Sequence, residues 1–247
     1  MKRAPRQLGL LTHTSDGWSG QVPDLDSDST VVLVFGASRY FDDAITELAS
    51  AYPNSHVIGC STAGEIHGTQ VSDGSLSVAI AKFDHTEIRT AATRVSGDSY
   101  EVGRMVGTSL ADEGLRSIFV LSDGLGVNGS ELARGTNEHV DEPVVVTGGL
   151  AGDGADFKRT RVLVGGKPAE EFVSTIGFYG DSIRIGHGSK GGWDYFGPER
   201  MVTRSEGNVL YELDGPALEL YKEYLGDLAE GFAGDRLAVP SGIARRR

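Results

Sequence analysis

The sequence predicts a mixed α/β fold with an internal duplication, in which two βαβββα units form mixed sheets flanked by helices. Residues 32–36 correspond to residues 120–124 at an offset of 88, and Ala63-Gly64-Glu65 then corresponds to Ala151-Gly152-Asp153. At an offset of 95, Val78, Phe83 and Ile88 correspond to Val173, Phe178 and Ile183. Because the order of elements departs from strict βαβα alternation, mixed sheets are favoured over a purely parallel one.

The first copy is read from its apolar periodicity. A β-branched run opens it, and Ile45 and Leu48 then lie on one side of an amphipathic helix that Pro53 ends. In chain order we predict a strand at 31–35, a helix at 41–51, a strand at 57–58, a glycine turn at 59–65, a hairpin of strands at 75–83 and 86–93, and a helix at 100–112.

The second copy follows the same order. We predict a strand at 118–121, a helix at 130–139, a strand at 144–146, a glycine turn at 148–154, strands at 160–164, 171–179 and 182–188, extended segments at 201–204 and 209–213, and a helix at 217–225. This divides the chain into an irregular lead-in (1–29), a main domain (30–212) with halves at about 30–114 and 115–212, and a C-terminal segment (213–247).

Composition and charge narrow the class of protein. The 247 residues are 39% apolar and 23% charged, as in a globular protein with a full core. The net charge of −12 repels phosphate backbones, so we predict no nucleic-acid partner. The chain contains no run of about 20 apolar residues, so we predict no membrane span. The basic N-terminus lacks the apolar run of a secretory signal, and a single cysteine excludes an intrachain disulfide, so the expected address is the cytoplasm.

The first glycine turn is a candidate ligand site. It follows a buried strand and offers small polar side chains and backbone amides that can hold a carboxylate or phosphate. The alternative is a tight turn whose hydroxyls bond their own backbone. The candidate residues are Cys60, Ser61, Thr62, Gly64 and Glu65.

The second glycine turn supplies Gly149, Gly152 and Asp153, and we expect the two turns to face one pocket. Glu65 and Asp153 occupy matching places in the two copies. Each carboxylate either caps a helix, binds the amides of its own turn or contacts a ligand ammonium group. The chain contains no P-loop motif, and its first strand is not followed by a dinucleotide-binding fingerprint.

Other chemistries remain open. Cys60 or Ser61 would serve a cysteine- or serine-dependent enzyme if a base lay nearby, although lone cysteines are commonly buried small hydrophobes. His67 and His187 are alternative axial ligands for haem, or ordinary histidines at strand ends. No two histidines have metal-ligand spacing, so we predict no metal site and, apart from the haem alternative, no cofactor.

Two later residues complete the candidate site. Trp193 stands in a segment of aromatics between glycines that can form one wall of a pocket, or can staple a loop to the body of the protein. Arg204 has the bidentate donors of an anion clamp, or pairs with Asp214.

The motifs together resemble the FIST family of sensory domains. They are VIGCSTAGE (57–65), SDG (122–124), GGLAGDG (148–154), GW (192–193), FGP (196–198), VT (202–203) and LDGPALELY (213–221). The ordered set covers about residues 30 to 225. The resemblance implies an intracellular signal-input domain that binds a small ligand such as an amino acid and acts on a separate output protein such as a histidine kinase. One branch of the family is similar to haem-binding nitric-oxide sensors that regulate a partner kinase.

The sequence departs from the family after residue 225, where the family's C-terminal half continues for well over a hundred residues. We therefore expect a shortened member in which a pocket that needs that half is incomplete. The leading hypothesis is a sensor that binds a small polar ligand between its duplicated halves and shifts their relative position, with the haem sensor and the enzyme as alternatives.

Overall fold

The computed structural model describes residues 7–141, 143–154, 156–188, 197–207, 209–231 and 237–238. The chain divides into two compact units, Met1–His187 and Gly188–Arg247. The strands of the first unit are β1 Leu8–Thr14, β2 Gly17–Trp18, β3 Thr30–Gly36, β4 His56–Ser61, β5 Glu65–His67, β6 Gln70–Ser72, β7 Leu76–Lys82, β8 Glu87–Arg94, β9 Leu115–Ser122, β10 Val145–Leu150, β11 Val162–Val164, β12 Lys167–Ala169 and β13 Phe172–Tyr179. Its α-helices are α1 Asp43–Ala51, α2 Ser99–Leu110 and α3 Gly129–Asn137, with a 3₁₀ helix at Ser38–Tyr40.

Two mixed sheets carry the first unit. The first sheet has the strand order β12-β11-β4-β3-β7-β1-β2, and the second has the order β10-β9-β13-β8. In each sheet a βαβ unit places two strands parallel, β3 with β4 and β9 with β10. An antiparallel strand then follows beside each unit, β7 in the first sheet and β13 in the second. The predicted mixed α/β fold is confirmed.

The unit has four layers, which follow from how the strands alternate their side chains. One face of the first sheet packs Val32 and Val34 against Ile45 and Leu48 of α1. The outer face of the second sheet packs Ile118 and Val120 against α2 and α3. The two inner faces meet in an inter-sheet core that includes Val31, Ile58, Leu121 and Ile176. The order of layers is therefore helix, sheet, sheet, helix.

Several elements differ from the sequence-based predictions. Residues 8–14, expected in an irregular lead-in, form β1, which pairs with β7. The segments 75–83 and 86–93 are strands but not a hairpin, because β7 joins the first sheet and β8 the second. Residues 183–188, predicted as a strand, have no regular secondary structure. The predicted halves at 30–114 and 115–212 remain a prediction.

The second unit contains its own small sheet. The strands β14 Arg204–Glu206, β15 Val209–Glu212 and β16 Leu237–Ala238 form an antiparallel sheet, and α4 Ala217–Leu225 follows β15. Pro216 stands at the N-cap of α4, directly before the first helical residue.

None of the described helices combines the length and the apolar character that crossing a membrane requires.

Candidate functional site

The two glycine turns meet in the structure. They follow β4 and β10, and the backbone N–H of Gly152 donates a 2.8 Å hydrogen bond to the carbonyl oxygen of Ser61. A Cβ atom at Gly152 would lie 3.2 Å from the backbone nitrogen of Ala63, so the turns are in direct contact. The sequence analysis expected the two turns to face one pocket. In the structure they lie side by side and touch each other, with no pocket between them at this contact.

Ser61 shows how tightly this junction is tied. Its N–H donates to the carbonyl oxygen of Arg161 at 2.8 Å, and its hydroxyl oxygen accepts from the N–H of Arg161 at 2.9 Å. The side chain is fully buried. The hydroxyl therefore holds the segment that leads into β11.

Cys60 lies in the inter-sheet core and is only 3% exposed. Its neighbours in that core include Leu121, Ala151 and Val162. Burial raises the pKa of the Cys60 thiol to about 12. A catalytic thiol needs the opposite shift and a base beside it, so these surroundings give no support to the cysteine-dependent alternative.

Asp153 binds its own turn. Its carboxylate accepts hydrogen bonds from the backbone N–H groups of Phe157 at 3.1 Å and of Lys158 and Arg159 at 2.7 Å. Desolvation by burial acts to raise the pKa of Asp153, but these three bonds outweigh it and the pKa is lowered. The carboxylate thus orders the loop after β10.

Glu65 is a buried carboxylate, 2% exposed, at the start of β5. One oxygen accepts from the hydroxyl of Thr62 at 2.7 Å. The other accepts from the backbone N–H of Ser75 at 2.9 Å and from its hydroxyl at 3.1 Å. Among the described residues no cationic side chain forms an ion pair with Glu65. Its charge is therefore held by neutral donors alone.

A polar groove of about 500 Å³ lies beside Ser75, between β1 and the hairpin formed by β5 and β6. This volume lies within the range of small-molecule sites. Six of its seven lining residues carry a hydroxyl, amide or imidazole group; the lining is made by Thr12, Thr14, His67, Gln70, Val71, Ser72 and Ser75. We call it the hydroxyl groove.

The donor and acceptor roles in the hydroxyl groove follow from Glu65. The hydroxyl proton of Ser75 points to the carboxylate, so Ser75 must accept at 2.8 Å from the hydroxyl of Ser72. Ser72 then offers only lone pairs to the groove. Thr14 is the converse, because its hydroxyl oxygen accepts from the N–H of Asp16 at 3.2 Å and its proton is free to donate.

The hairpin of β5 and β6 pairs with no other strand in the described part of the chain. Its hydrogen bonds toward the first sheet connect Glu65 and Ser72 with Ser75, and the Ser77 hydroxyl with the carbonyl oxygen of Ile66 at 2.9 Å. Ile66 and Val71 stand opposite each other on the hairpin and are 70% and 72% exposed. The hairpin is thus held at its base and open at its tip.

The remaining predicted site residues lie away from the hydroxyl groove or outside the residues that the structure describes. Gly149 is exposed on β10, and an added Cβ atom there would meet nothing within 4 Å. Trp193 lies outside the described residues. Arg204 belongs to the second unit, where it pairs with Glu212 at 3.0 Å, not with Asp214, and stacks over Tyr211. The ligand-binding role of all ten predicted residues stays a prediction.

The two histidines proposed for haem have different surroundings. His67 is half-buried in the hydroxyl groove, where Val71 is the one apolar lining residue, and His187 is exposed. Neither setting has the apolar walls that haem requires, so the residues described do not fit that group. Within the described ranges, no three His, Cys, Asp or Glu side chains come together as metal ligands would. Haem binding stays a prediction.

Sequence reasoning missed most of the hydroxyl groove. Thr12 and Thr14 belong to β1, and their spacing of two residues would have placed both on one face had that strand been recognised. Ser72 and Ser75 carried no signal of their own. Ser75 is linked to Glu65, which the turn motif did identify, by its own hydrogen bonds, and Ser72 is linked to Glu65 only through Ser75.

A known protein family matches most of this chain. The family model of the FIST N domain matches residues 30–216, which is more than half of the chain. No curated protein matches the chain. FIST domains are sensory, ligand-binding domains of signal transduction. The chain therefore belongs to the FIST family and carries its N domain.

Proposed function

We propose that this protein senses a small polar molecule, an amino acid or a related metabolite, that binds in the hydroxyl groove. The observation that supports this proposal is the chain of hydrogen bonds from Glu65 through Ser75 to Ser72, which connects a buried carboxylate with the lining of the groove. The first glycine turn would then act on the ligand indirectly, because its Glu65 holds Ser75 in position beside the groove.

The charge of Glu65 indicates which end of the ligand would lie nearest to that residue. An unpaired buried carboxylate favours a positive group close by, since Coulomb attraction is strong away from bulk water. Ser72 presents only lone pairs to the groove, which suits an ammonium donor. Thr14 has a free hydroxyl proton, which suits a carboxylate acceptor. A zwitterion matches this pattern of donors and acceptors.

The hairpin of β5 and β6 offers a route for the signal. It forms one side of the hydroxyl groove through His67, Gln70 and Ser72, and its tip is solvent-exposed. A ligand bridging β1 and the hairpin would order the hairpin, and a separate output protein such as a histidine kinase would read that change.

Thermal unfolding with a panel of amino acids and their deaminated analogues tests the proposal. A ligand at a hundredfold excess over its Kd should stabilise the protein by about 2.7 kcal/mol. Thr14→Val should weaken the effect, whereas Thr108→Val, which removes an exposed hydroxyl on α2, should leave it unchanged. The proposal is wrong if no member of the panel shifts the midpoint, or if both variants respond like the wild type.

Hydrogen exchange tests the signalling route. Amides at 65–72 should exchange more slowly with ligand bound, while those of α3 should keep their rates. Equal protection of both segments would argue against a response confined to the hairpin.

A further inference from the structure

A second cavity, of about 410 Å³, lies at the opposite end of β4 from the glycine turn. The cause is a separation of strands: β4 and β11 pair only between Cys60 and Val162. Beyond that pair, Val57 and Ile58 on β4 and Val164 on β11 line an opening. We call it the inter-sheet cavity.

The inner face of β8 shows that this space reaches between the two sheets. Ile88, Thr90 and Ala92 alternate along β8 and therefore share one face. Ile88 is buried in the inter-sheet core, whereas Thr90 and Ala92 are exposed and line the cavity. Along this face of β8, the side chain at one end is buried between the sheets, whereas those farther along the strand are open to the cavity.

Most polar side chains around the inter-sheet cavity already have partners. The hydroxyl of Tyr52 donates to the carbonyl oxygen of Pro23 at 2.5 Å, and that of Ser174 donates to the carbonyl oxygen of Leu163 at 2.6 Å. The hydroxyl of Ser55 donates to the carboxylate of Asp26 at 2.6 Å. These three hydroxyl groups have no proton left for a ligand, and alanine, valine, isoleucine and glycine provide the apolar part of the lining.

His56 supplies the main hydrogen-bonding exception. Its Nε2 lies 3.0 Å from the carbonyl oxygen of Asp28, which can only accept, so Nε2 carries the proton. In the neutral ring Nδ1 then has a free lone pair. The free hydroxyl of Thr90 is the other polar group on offer. The lining contains no Asp, Glu, Lys or Arg in the part of the chain described.

We propose that the inter-sheet cavity binds a small, uncharged molecule that has an apolar face and carries one N–H or O–H donor. Its volume is that of a small-molecule site. A charged ligand would lose its hydration without gaining an ion pair, whereas an apolar one replaces water against methyl and methylene groups. The donor on the ligand would bond to Nδ1 of His56. This site is separate from the hydroxyl groove and does not depend on the function proposed for it.

Indole and benzofuran are matched probes, because they share one shape and differ in the N–H group. In a titration followed by amide chemical shifts, indole should perturb residues 57, 58, 91 and 92. Benzofuran should bind about fivefold more weakly, as expected for one lost hydrogen bond. Perturbations at residues 12, 14 and 67–75 instead would overturn the assignment.

Filling the cavity provides the control. Ala92→Phe should reduce indole affinity at least tenfold, while Ala133→Phe, the same change at an exposed position on α3, should not. Equal binding by both variants would disprove the proposal. His56→Leu is an independent variant, in which indole and benzofuran should bind equally. Ala92→Phe should still respond to the amino acids tested above, which separates failure of this site from failure of the groove.

Discussion

The N–H of Gly152 bonds to the carbonyl oxygen of Ser61, so the two duplicated turns form one joint at the edge where β4 and β10 end. Their small residues allow this close approach, and the buried Cys60 and Ala151 fill the space behind it. The hydroxyl groove lies beside Ser75, whose hydroxyl and N–H bind Glu65 of the first turn. The turns that most strongly suggested a shared pocket thus support a groove next to them.

Replacing Gly124 tests the packing of this joint. A Cβ atom at Gly124 would lie 1.9 Å from the carbonyl oxygen of Ala151, which is backbone and cannot move aside. We expect Gly124→Ala to reduce the free energy of unfolding by about 1–3 kcal/mol, measured by urea denaturation. Gly149→Ala is the matched control and should cost far less, since its Cβ meets nothing within 4 Å. Similar losses in the two variants would contradict this account.

The thiol of Cys60 should be almost unreactive in the folded protein. Burial raises its pKa to about 12, so the thiolate at pH 8 is scarcer than in a free thiol by a factor on the order of 10³. Alkylation with iodoacetamide, followed by mass spectrometry, should be slower by at least that factor than in urea. Because Cys60 is the single cysteine, one modified mass reports it alone. A native rate like that of the unfolded chain would revive the enzymatic alternative.

The carboxylate of Asp153 should make stability depend on acid pH. Backbone hydrogen bonds, acting against desolvation, lower its pKa below the ordinary value of 3.8. A lowered folded-state pKa contributes stability above the unfolded pKa, and that contribution is lost as the pH falls through the folded one. Asp153→Asn should therefore lower the unfolding midpoint at pH 7, and the difference from the wild type should shrink below pH 3.8. A difference that stays constant with pH would show that the charge has no part in it.

The charge of Glu65 should select the ligand. Glu65→Gln keeps an acceptor for Ser75 and removes the negative charge, so the affinity for an amino acid found to bind should fall roughly tenfold, or about 1.4 kcal/mol. The deaminated analogue should be unaffected. Glu47→Gln, on the exposed side of α1, is the control and should alter neither affinity. Calorimetric titration measures all of them, and an equal loss for both ligands would point to a structural effect.

The βαβ units could be predicted because local pattern decides them. Residues 31–35 and 118–121 are apolar runs followed by amphipathic helices, and the structure places β3, α1, β9 and α3 over those segments. The partner of a strand is decided by contacts far away in sequence. The alternation in β7 and β8 shows two strands, and nothing local shows that they enter different sheets.

The site was predictable to the same extent. Glu65 stood out because it follows a buried strand and a run of small residues, and its contacts bear on the groove. Thr12 and Thr14 did not, because β1 reads LGLLTHT, without regular apolar alternation, and lies before the matched range that starts at residue 30. A groove between β1 and a hairpin depends on tertiary pairing, which a pattern along one segment does not reveal.

The path of the chain after β10 has a mechanical consequence. Residues of β11 and β12 leave the second copy, join the edge of the first sheet beside β4, and return as β13 to the middle of the second sheet. The segment of β11 and β12 therefore connects the two sheets. Neither sheet can rotate away from the other as a rigid body unless β11 separates from β4. The hairpin of β5 and β6 pairs with no other strand in the described part of the chain, so we expect any motion on ligand binding to occur in that hairpin.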